Sequence, residues 1–214
     1  EVYDPTIPDF LPERFRRAVM LAGDLPRTAA LALNEGAAAL DRVRATVFTP
    51  LQAMLASPSE GLAEAIAELG GEPMRPVLLE WKLDGARVQV HRDGDVVRVY
   101  TRAMQDVTSS SPEIVEAVRA MPTRRLILDG EAIALHPDGG PRPFQETQSR
   151  FARRVDVEAA RRATPLSVFF FDLLLCDDDL WLDHALAERR AKLAKVVPEA
   201  HRVPSLETTL LEPA

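Results

Sequence analysis

The stretch EWKLDGAR, residues 80–87, places a lysine, an aspartate and an arginine within six positions. Lys82 is one of three lysines among the 26 basic residues of the chain, and the rest are arginines. Arginine keeps its proton near neutral pH, whereas a lysine amine that loses its proton becomes a nucleophile. The residue types therefore predict covalent chemistry at Lys82. The alternative is a solvated lysine before an Asp-Gly turn.

The neighbours of Lys82 decide between these two interpretations, because only a neutral amine attacks an electrophile. A direct pair with Asp84 would hold the amine in its charged form. An arginine or a bound Mg²⁺ nearby would favour the neutral form instead. The pattern K-x-D-G-x-R is moderately specific by itself, so it leaves both interpretations open.

The residues after Lys82 predict a β-hairpin that would position the lysine loop. Two runs of alternating apolar and polar residues flank Asp93-Gly94, and their apolar positions are Val88, Val90, Val97 and Val99. A two-residue loop at Asp93-Gly94 would pair Val90 with Val97 and bury all four valines on one face. The same register would bring Arg102 beside the lysine loop, where a guanidinium could bind a phosphate.

The rest of the chain changes its periodicity near residue 70. Helices are predicted over residues 12–22, from Asp24 as N-cap to about Gly36, and after a capping box at Ser57-Pro58-Ser59-Glu60 until Gly70-Gly71. Beyond Gly71, strands alternate with helices at 112–121, 143–151 and 186–196, and the apolar run at 166–175 is typical of a central strand. Without a regular βαβ rhythm, this order predicts an α+β fold with a largely antiparallel sheet.

Composition narrows the class of protein. The single cysteine, Cys176, excludes an internal disulfide and fits a reducing cytosol. No apolar run is long enough to cross a bilayer, and the four scattered histidines suggest no zinc site. A net charge of −7 argues against coating nucleic acid through bulk charge, although it allows a local basic face.

Three further segments follow EWKLDGAR: VYTR with the following DVT at 99–108, LDGEAIAL at 128–135 and FFFDLLL at 169–175. In order and spacing, the four resemble the nucleotidyl-transfer motifs of the ATP-dependent DNA ligases. This family lies within the covalent nucleotidyltransferase superfamily, which also holds RNA ligases and mRNA capping enzymes. Four ordered motifs are specific where one alone would be weak. The helices of residues 1–70, ending in PLQAMLA, resemble the end of the DNA-binding domain that precedes catalysis in larger ligases.

The resemblance implies two parts. Residues 1–70 would be a helical segment ending a DNA-binding domain, and residues 71–214 would begin a nucleotidyltransferase (ATP-grasp-like) adenylation domain, incomplete at its C-terminus. The later motifs of the family, a Glu-Gly pair before a lysine and then Lys-x-Lys, do not occur in this sequence. Because those lysines would contact the ATP phosphates, we expect residues 1–214 alone to bind ATP weakly and to seal no nicks.

The resemblance also implies a reaction. Lys82 would attack the α-phosphate of ATP and carry AMP, which would pass to the 5′-phosphate at a DNA nick before the 3′-hydroxyl displaces it. Asp84 would act in this later sealing chemistry, and Arg102 would meet the 5′-phosphate. Mg²⁺, held in part by Glu131, would neutralise the phosphates. The implied partner is nicked duplex DNA, bound by a monomer in the bacterial cytoplasm near the nucleoid, with no membrane.

Four residues are implied to bind the nucleotide. Glu80 would accept from the adenine amino group and so favour ATP over GTP, while Arg87 and Glu131 would hold the ribose hydroxyls. Phe171 would stack on adenine. Since two of the three rings of Phe169–Phe171 are expected in the core, the sequence leaves open which ring faces the nucleotide.

Two charged segments keep two interpretations each. Residues 142–162 hold six arginines against three acidic residues, which fits either a phosphate-contacting stretch or a solvated helix face. The run Asp177-Asp178-Asp179 resembles a metal site, but an exposed turn is the preferred interpretation.

The alternatives to a DNA ligase are an RNA ligase or a GTP-dependent capping-type enzyme, which share the lysine chemistry, and a non-catalytic DNA-binding or assembly module. Glu80 and the helical segment before the motif favour ATP and DNA.

Overall fold

The computed structural model describes residues 11–69 and 76–208. The helices are α1 (Leu11–Ala22), α2 (Leu25–Glu35), α3 (Ala37–Leu40), α4 (Leu62–Glu68), α5 (Pro112–Arg119), α6 (Phe144–Ala152), α7 (Val157–Ala163) and α8 (Leu186–Val196). The strands are β1 (Val77–Glu80), β2 (Ala86–Asp93), β3 (Val96–Thr101), β4 (Arg125–Ala134), β5 (Leu166–Cys176), β6 (Asp179–Leu180) and β7 (Ser205–Thr208). Within the described residues, no helix is long and apolar enough to cross a membrane.

The main sheet has five strands in the order β3-β2-β4-β5-β6, and every neighbouring pair is antiparallel. A separate ribbon pairs β1 with β7, also antiparallel. The α+β class with a largely antiparallel sheet is therefore confirmed. The predicted strand at 166–175 is β5, which lies between β4 and the two-residue β6.

The predicted register of the β2–β3 hairpin is wrong by two residues. Val90 lies opposite Val99 instead of Val97, and the loop is Gly94-Asp95 instead of Asp93-Gly94. Gly94 has φ 60° and takes the first loop position, as glycine does in a type II′ turn. A shift by an even number of residues preserves the face on which each side chain lies. All four valines are therefore buried together, as predicted.

A β-bulge in β5 determines where the side chains of Phe170 and Phe171 lie. Asp172 lies opposite Asp129 while Phe170 lies opposite Gly130, so Phe171 is an extra residue without a partner on β4. Phe170 is fully buried in the core. Bulges re-aim side chains, and this one turns both Phe171 and Asp172 towards the same cleft.

Two hydrophobic clusters hold the elements together. The larger joins the valines of the hairpin to α5, α6 and α8 through Ile114, Val118, Phe151, Leu193 and Val196, among others. The smaller packs α1 and the segment after α3 against the sheet, through Leu21, Val47, Leu51, Ile127, Leu174 and Leu175. The helices before residue 50 are thus joined to the sheet by a shared core.

Buried polar groups fix the same segment to β2. The backbone N–H of Phe48 donates to Nδ1 of His91 at 2.9 Å, and the N–H of Leu51 donates to Oε1 of Gln89 at 2.7 Å. Oε1 of Gln89 lies 2.8 Å from Nε2 of His91, and the hydroxyl of Tyr100 donates to the carbonyl of Phe48 at 3.0 Å. Because Nδ1 accepts, the proton of the neutral ring must lie on Nε2.

The helical predictions before residue 70 have a mixed outcome. The first two helices are confirmed as α1 and α2, and the side chain of Asp24 caps α2 by accepting from Arg27 N at 2.9 Å. The capping box at Ser57 is wrong: α4 begins at Leu62 after Gly61 and buries none of its residues. The predicted end at Gly70-Gly71 lies outside the described residues.

Candidate active site

One cleft of about 1710 Å³ brings together almost all the residues predicted to act on a nucleotide. Its lining includes six of them: Glu80, Lys82, Arg87, Arg102, Glu131 and Phe171. Asp84 does not line the cleft, and its side chain is exposed. The cleft is lined by the end of β1, the start of β2, the end of β3 and interior residues of β4 and β5, with α6 along one side.

Lys82 lies in the loop of residues 81–85 that joins β1 to β2. The N–H of Gly85 anchors this loop by donating to Oε1 of Glu131 at 3.2 Å. A Cβ at Gly85 would lie 2.3 Å from the carbonyl oxygen of Ala132, so only glycine permits this approach. The glycine of K-x-D-G-x-R therefore sets the distance between the lysine loop and β4.

Glu131 is the acidic neighbour of Lys82. Burial raises the pKa of Glu131, while the Gly85 N–H and the positive charges of Lys82 and Arg87 act in the opposite direction. Within the described part of the chain, Asp84 forms no hydrogen bond or ion pair. The direct Lys82–Asp84 pair that would have kept the amine charged is thus not present.

Arg87 is held in place on three sides. It donates two hydrogen bonds to Asp129, 3.1 and 2.6 Å long, and one to the carbonyl of Met54 at 2.7 Å. Its guanidinium lies over the ring of Phe171, 5.4 Å from the centroid. The arginine is therefore preorganised beside an aromatic ring, and the residues around Met54 form part of the cleft wall.

Glu80 is held by an arginine from the far end of the chain. Nη1 of Arg190 lies 2.7 Å from Oε1 of Glu80 and also donates to the carbonyl of Phe171 at 3.2 Å. Burial raises the pKa of Glu80, and the charge of Arg190 lowers it in part. The helix α8 thus orients the carboxylate of β1.

Two carboxylates lie directly opposite each other on β4 and β5, Asp129 and Asp172. Each is neutralised by its own arginine: Arg87 binds Asp129, and Arg189 donates to Asp172 at 2.8 and 3.0 Å. Two buried carboxylates at this spacing would repel each other without such partners. Burial raises the pKa of Asp129, and the hydrogen bonds and charge of Arg87 act in the opposite direction. The two arginines therefore offset the negative charges of this pair.

The structure distinguishes between the interpretations that the sequence left open for the two charged segments. Arg142, Arg150 and Arg161 pair with Glu146, Glu113 and Glu116, so half of the six arginines serve the fold. The acidic run forms the turn between β5 and β6, where Asp177 has φ 55° and Asp178 pairs with Arg125. Among the described residues, no cluster of three or more potential ligands could hold a metal ion.

Several residues of the site could not be identified from the sequence. Arg189 and Arg190 lie in a helix more than 100 positions from Lys82, and the carbonyl of Met54 carries no side-chain signal. Asp129 falls within a motif, but its partner Arg87 is 42 positions away. The adjacent residues Arg189 and Arg190, near the start of the predicted helix at 186–196, were the one sequence feature that could have indicated these partners.

This chain is similar in sequence to known proteins. The family model for the ATP dependent DNA ligase domain matches residues 53–212. A probable DNA ligase of an Anaeromyxobacter species is 54% identical over 194 residues, 91% of this chain and 36% of the relative. One from Streptomyces coelicolor is 51% identical, over 91% of this chain and 37% of its own length. This chain therefore spans just over a third of each of these relatives.

A solved structure, mycobacterial DNA ligase D complexed with ATP and MES, aligns with a TM-score of 0.43 and 28% identity, covering 56% of this chain and 36% of that one. The family model covers most of the chain, including the lysine loop and every strand that builds the cleft. By that match, the chain belongs to the family of ATP-dependent DNA ligase domains.

Proposed function

We propose that this chain is the nucleotide-binding part of an ATP-dependent DNA ligase that seals nicks in duplex DNA. Residues 1–70 would end its DNA-binding domain, and residues 71–214 would begin its adenylation domain. The observation that carries the proposal is the convergence of Lys82, Arg87, Glu131 and Phe171 in one cleft of a ligase-family chain.

In the first step, ATP is the substrate and Lys82 is the nucleophile. The neutral Nζ attacks the α-phosphorus, a P–N bond forms, the bond to the β-phosphate oxygen breaks, and pyrophosphate leaves with the released proton passing to solvent. The exposed loop makes Lys82 accessible to ATP, and within the described residues Asp84 does not pair with it. AMP is thereby held on the lysine with the energy of the broken bond.

Four side chains would hold the nucleotide for this attack. Phe171 would stack on adenine, and Arg87, already packed on that ring, would hold the ribose hydroxyls. Glu80, oriented by Arg190, would accept from the adenine amino group and select ATP over GTP. Glu131 would receive a ribose hydroxyl beside the lysine loop.

The residues present fit a Mg²⁺ site shared with the substrate. Mg²⁺ commonly binds through one or two carboxylates together with substrate phosphates. Glu131 is a half-buried carboxylate in the cleft, and among the described residues no arginine is hydrogen-bonded to it. When bound, the ion would neutralise the phosphates and polarise the one under attack.

In the later steps, a 5′-phosphate oxygen at the nick attacks the lysine-bound AMP, the P–N bond breaks, and Lys82 regains its proton. The 3′-hydroxyl oxygen then attacks the 5′-phosphorus: a P–O bond forms, the bond from that phosphorus to the AMP phosphate oxygen breaks, AMP leaves, and the hydroxyl proton passes to solvent. Arg102, exposed at the end of β3 in the same cleft, would bind the 5′-phosphate. The role of Asp84 in sealing rests on the motif alone. We place the enzyme in the cytoplasm, as a monomer on nicked duplex DNA near the nucleoid.

The test is transfer of label from α-phosphate-labelled ATP or GTP to the full-length protein in the presence of Mg²⁺. We expect label from ATP only, followed by release of labelled AMP when nicked duplex is added. Label from GTP would favour a capping-type enzyme. If neither nucleotide labels the protein, the remaining alternative is a non-catalytic module.

A further inference from the structure

Helix α6 presents an uncharged polar face to the cleft. Gln145 lies on this face with Gln148 and Ser149 about one helical turn after it, and all three are exposed. The only acidic residue of α6 is Glu146, which lies outside the cleft lining and pairs with Arg142 at 3.0 Å. The face therefore offers amide and hydroxyl groups without a carboxylate.

Arg154, two residues after α6, extends this face with a positive charge. It lines the cleft and is exposed, and it forms no hydrogen bond or close ion pair within residues 11–69 and 76–208. The positive charge of Arg154 favours the carboxylate form of Asp106. Oδ2 of Asp106 also lies 3.7 Å from Nη1 of Arg98. Arg150, by contrast, is buried against Glu113. Arg154 is thus available to a ligand where Arg150 is not.

Charge divides the cleft into two parts. Among the described residues, three carboxylates line the cleft, Glu80, Glu131 and Asp172, and they belong to β1, β4 and β5. Within the part of the chain that the structure describes, α6, Arg154 and the end of β3 at Arg102 contribute no carboxylate to the lining. This second part therefore favours an anion that does not need the contacts proposed for adenine.

We propose that the α6 face, with Arg154, holds the sugar–phosphate backbone of the DNA strand that enters the cleft beside Lys82. This rests on the proposed function. Arginine, glutamine and serine side chains are typical phosphate and sugar contacts, and such contacts fix the register of a duplex without reading its sequence. The ligand chemistry is a phosphodiester. The phosphates of ATP are the other source of the same charge, so the test separates the two.

The experiment uses the full-length ligase with Arg154→Glu, Gln148→Glu and a matched control, Arg162→Glu. Arg162 is also exposed, makes the same charge change and does not line the cleft. Three quantities are measured: the KM for ATP in self-adenylation, the Kd for nicked duplex, and the dependence of that Kd on salt.

We expect Arg154→Glu and Gln148→Glu to weaken binding of nicked duplex by about tenfold or more, and Arg154→Glu to lower the salt slope by about one. The KM for ATP should stay within about twofold of the wild-type value, since the binding of ATP uses other residues. The control should bind DNA nearly as the wild type does.

A raised KM for ATP with unchanged DNA binding would overturn the proposal and assign the α6 face to the nucleotide phosphates. Equal effects of Arg154→Glu and Arg162→Glu on DNA binding would also overturn it, since they would reflect net charge only. If the wild type takes no label from ATP, the proposed function fails first, and that outcome is distinct from both.

Discussion

The guanidinium of Arg87 binds the carboxylate of Asp129 through two hydrogen bonds, 3.1 and 2.6 Å long, across the β2–β4 pair. Both side chains are largely shielded, with 20% and 4% of their surfaces exposed. Bidentate arginine–carboxylate pairs fix geometry as well as charge. This pair therefore sets where the guanidinium lies relative to the ring of Phe171.

Replacing Asp129 with alanine should leave Arg87 partly buried without its counter-charge. We expect the free energy of unfolding to fall by about 3 kcal/mol and the KM for ATP to rise, since Arg87 loses its fixed position. Denaturant unfolding and self-adenylation kinetics measure the two effects. Asp178→Ala is the matched control, because its pair with Arg125 is exposed and should contribute about 1 kcal/mol or less. Equal losses in both variants would contradict the role given to Asp129.

Gly85→Ala should separate the lysine loop from β4. The new Cβ would meet the carbonyl oxygen of Ala132 at 2.3 Å, and backbone cannot move aside cheaply. We expect self-adenylation to fall by about 100-fold or more, as small misplacements of reacting groups can cost that much. Gly139→Ala, where nothing lies within 4 Å but φ is 88°, tests backbone strain without the clash. Adenylation by Gly85→Ala at the wild-type rate would show that the close approach is dispensable.

Arg190→Ala should make the binding of ATP more sensitive to acid. Burial raises the pKa of Glu80 and Arg190 partly offsets this, so removing Arg190 raises that pKa further. The carboxylate needed to accept from adenine would then be protonated at a higher pH than in the wild type. The KM for ATP, followed from neutral to mildly acidic pH, should rise earlier in the variant. Parallel profiles would argue against a link between Glu80 and adenine.

His91 should make the fold lose stability in acid. Burial lowers its pKa from 6.5 to about 3, so between these values the unfolded chain binds a proton that the folded chain does not. Stability therefore falls as the pH drops from about 6.5 towards 3, by about 2 kcal/mol between pH 7 and pH 5 from this residue. Unfolding of wild type and His91→Gln at both pH values gives the difference. If the variant does not fold, NMR of the His91 ring decides: titration near its ordinary pKa would contradict the buried network.

Local sequence patterns predicted the helices and strands of this fold well, because the spacing of apolar residues in each element depends on which face of that element is buried. Helix α8 begins and ends at the predicted residues, and the four valines share a buried face. The hairpin register failed because Asp93-Gly94 and Gly94-Asp95 are both acceptable loops. The conformation of Gly94 chooses between them, and it cannot be read from residue types.

The sequence predicted a set of site residues but not the arrangement of their side chains or the partners that hold them. The motifs brought Lys82, Arg87 and Glu131 to one cleft, as expected. The bulge that turns Phe171 outward depends on pairing with β4, 40 positions earlier. The partners that hold the site in place, such as Arg190 for Glu80, come from elements whose own sequence reports only a helix.

The central claim is that Lys82 carries AMP, and the most direct measurement is label transfer from α-phosphate-labelled ATP to full-length wild-type and Lys82→Ala proteins. Lys82 lies in an exposed polar loop, so its truncation removes no core volume and the variant should fold. We predict stoichiometric labelling of the wild type, mapped to the peptide containing Lys82, and none of the variant at an unchanged melting temperature. Normal labelling of a folded Lys82→Ala protein would contradict the account.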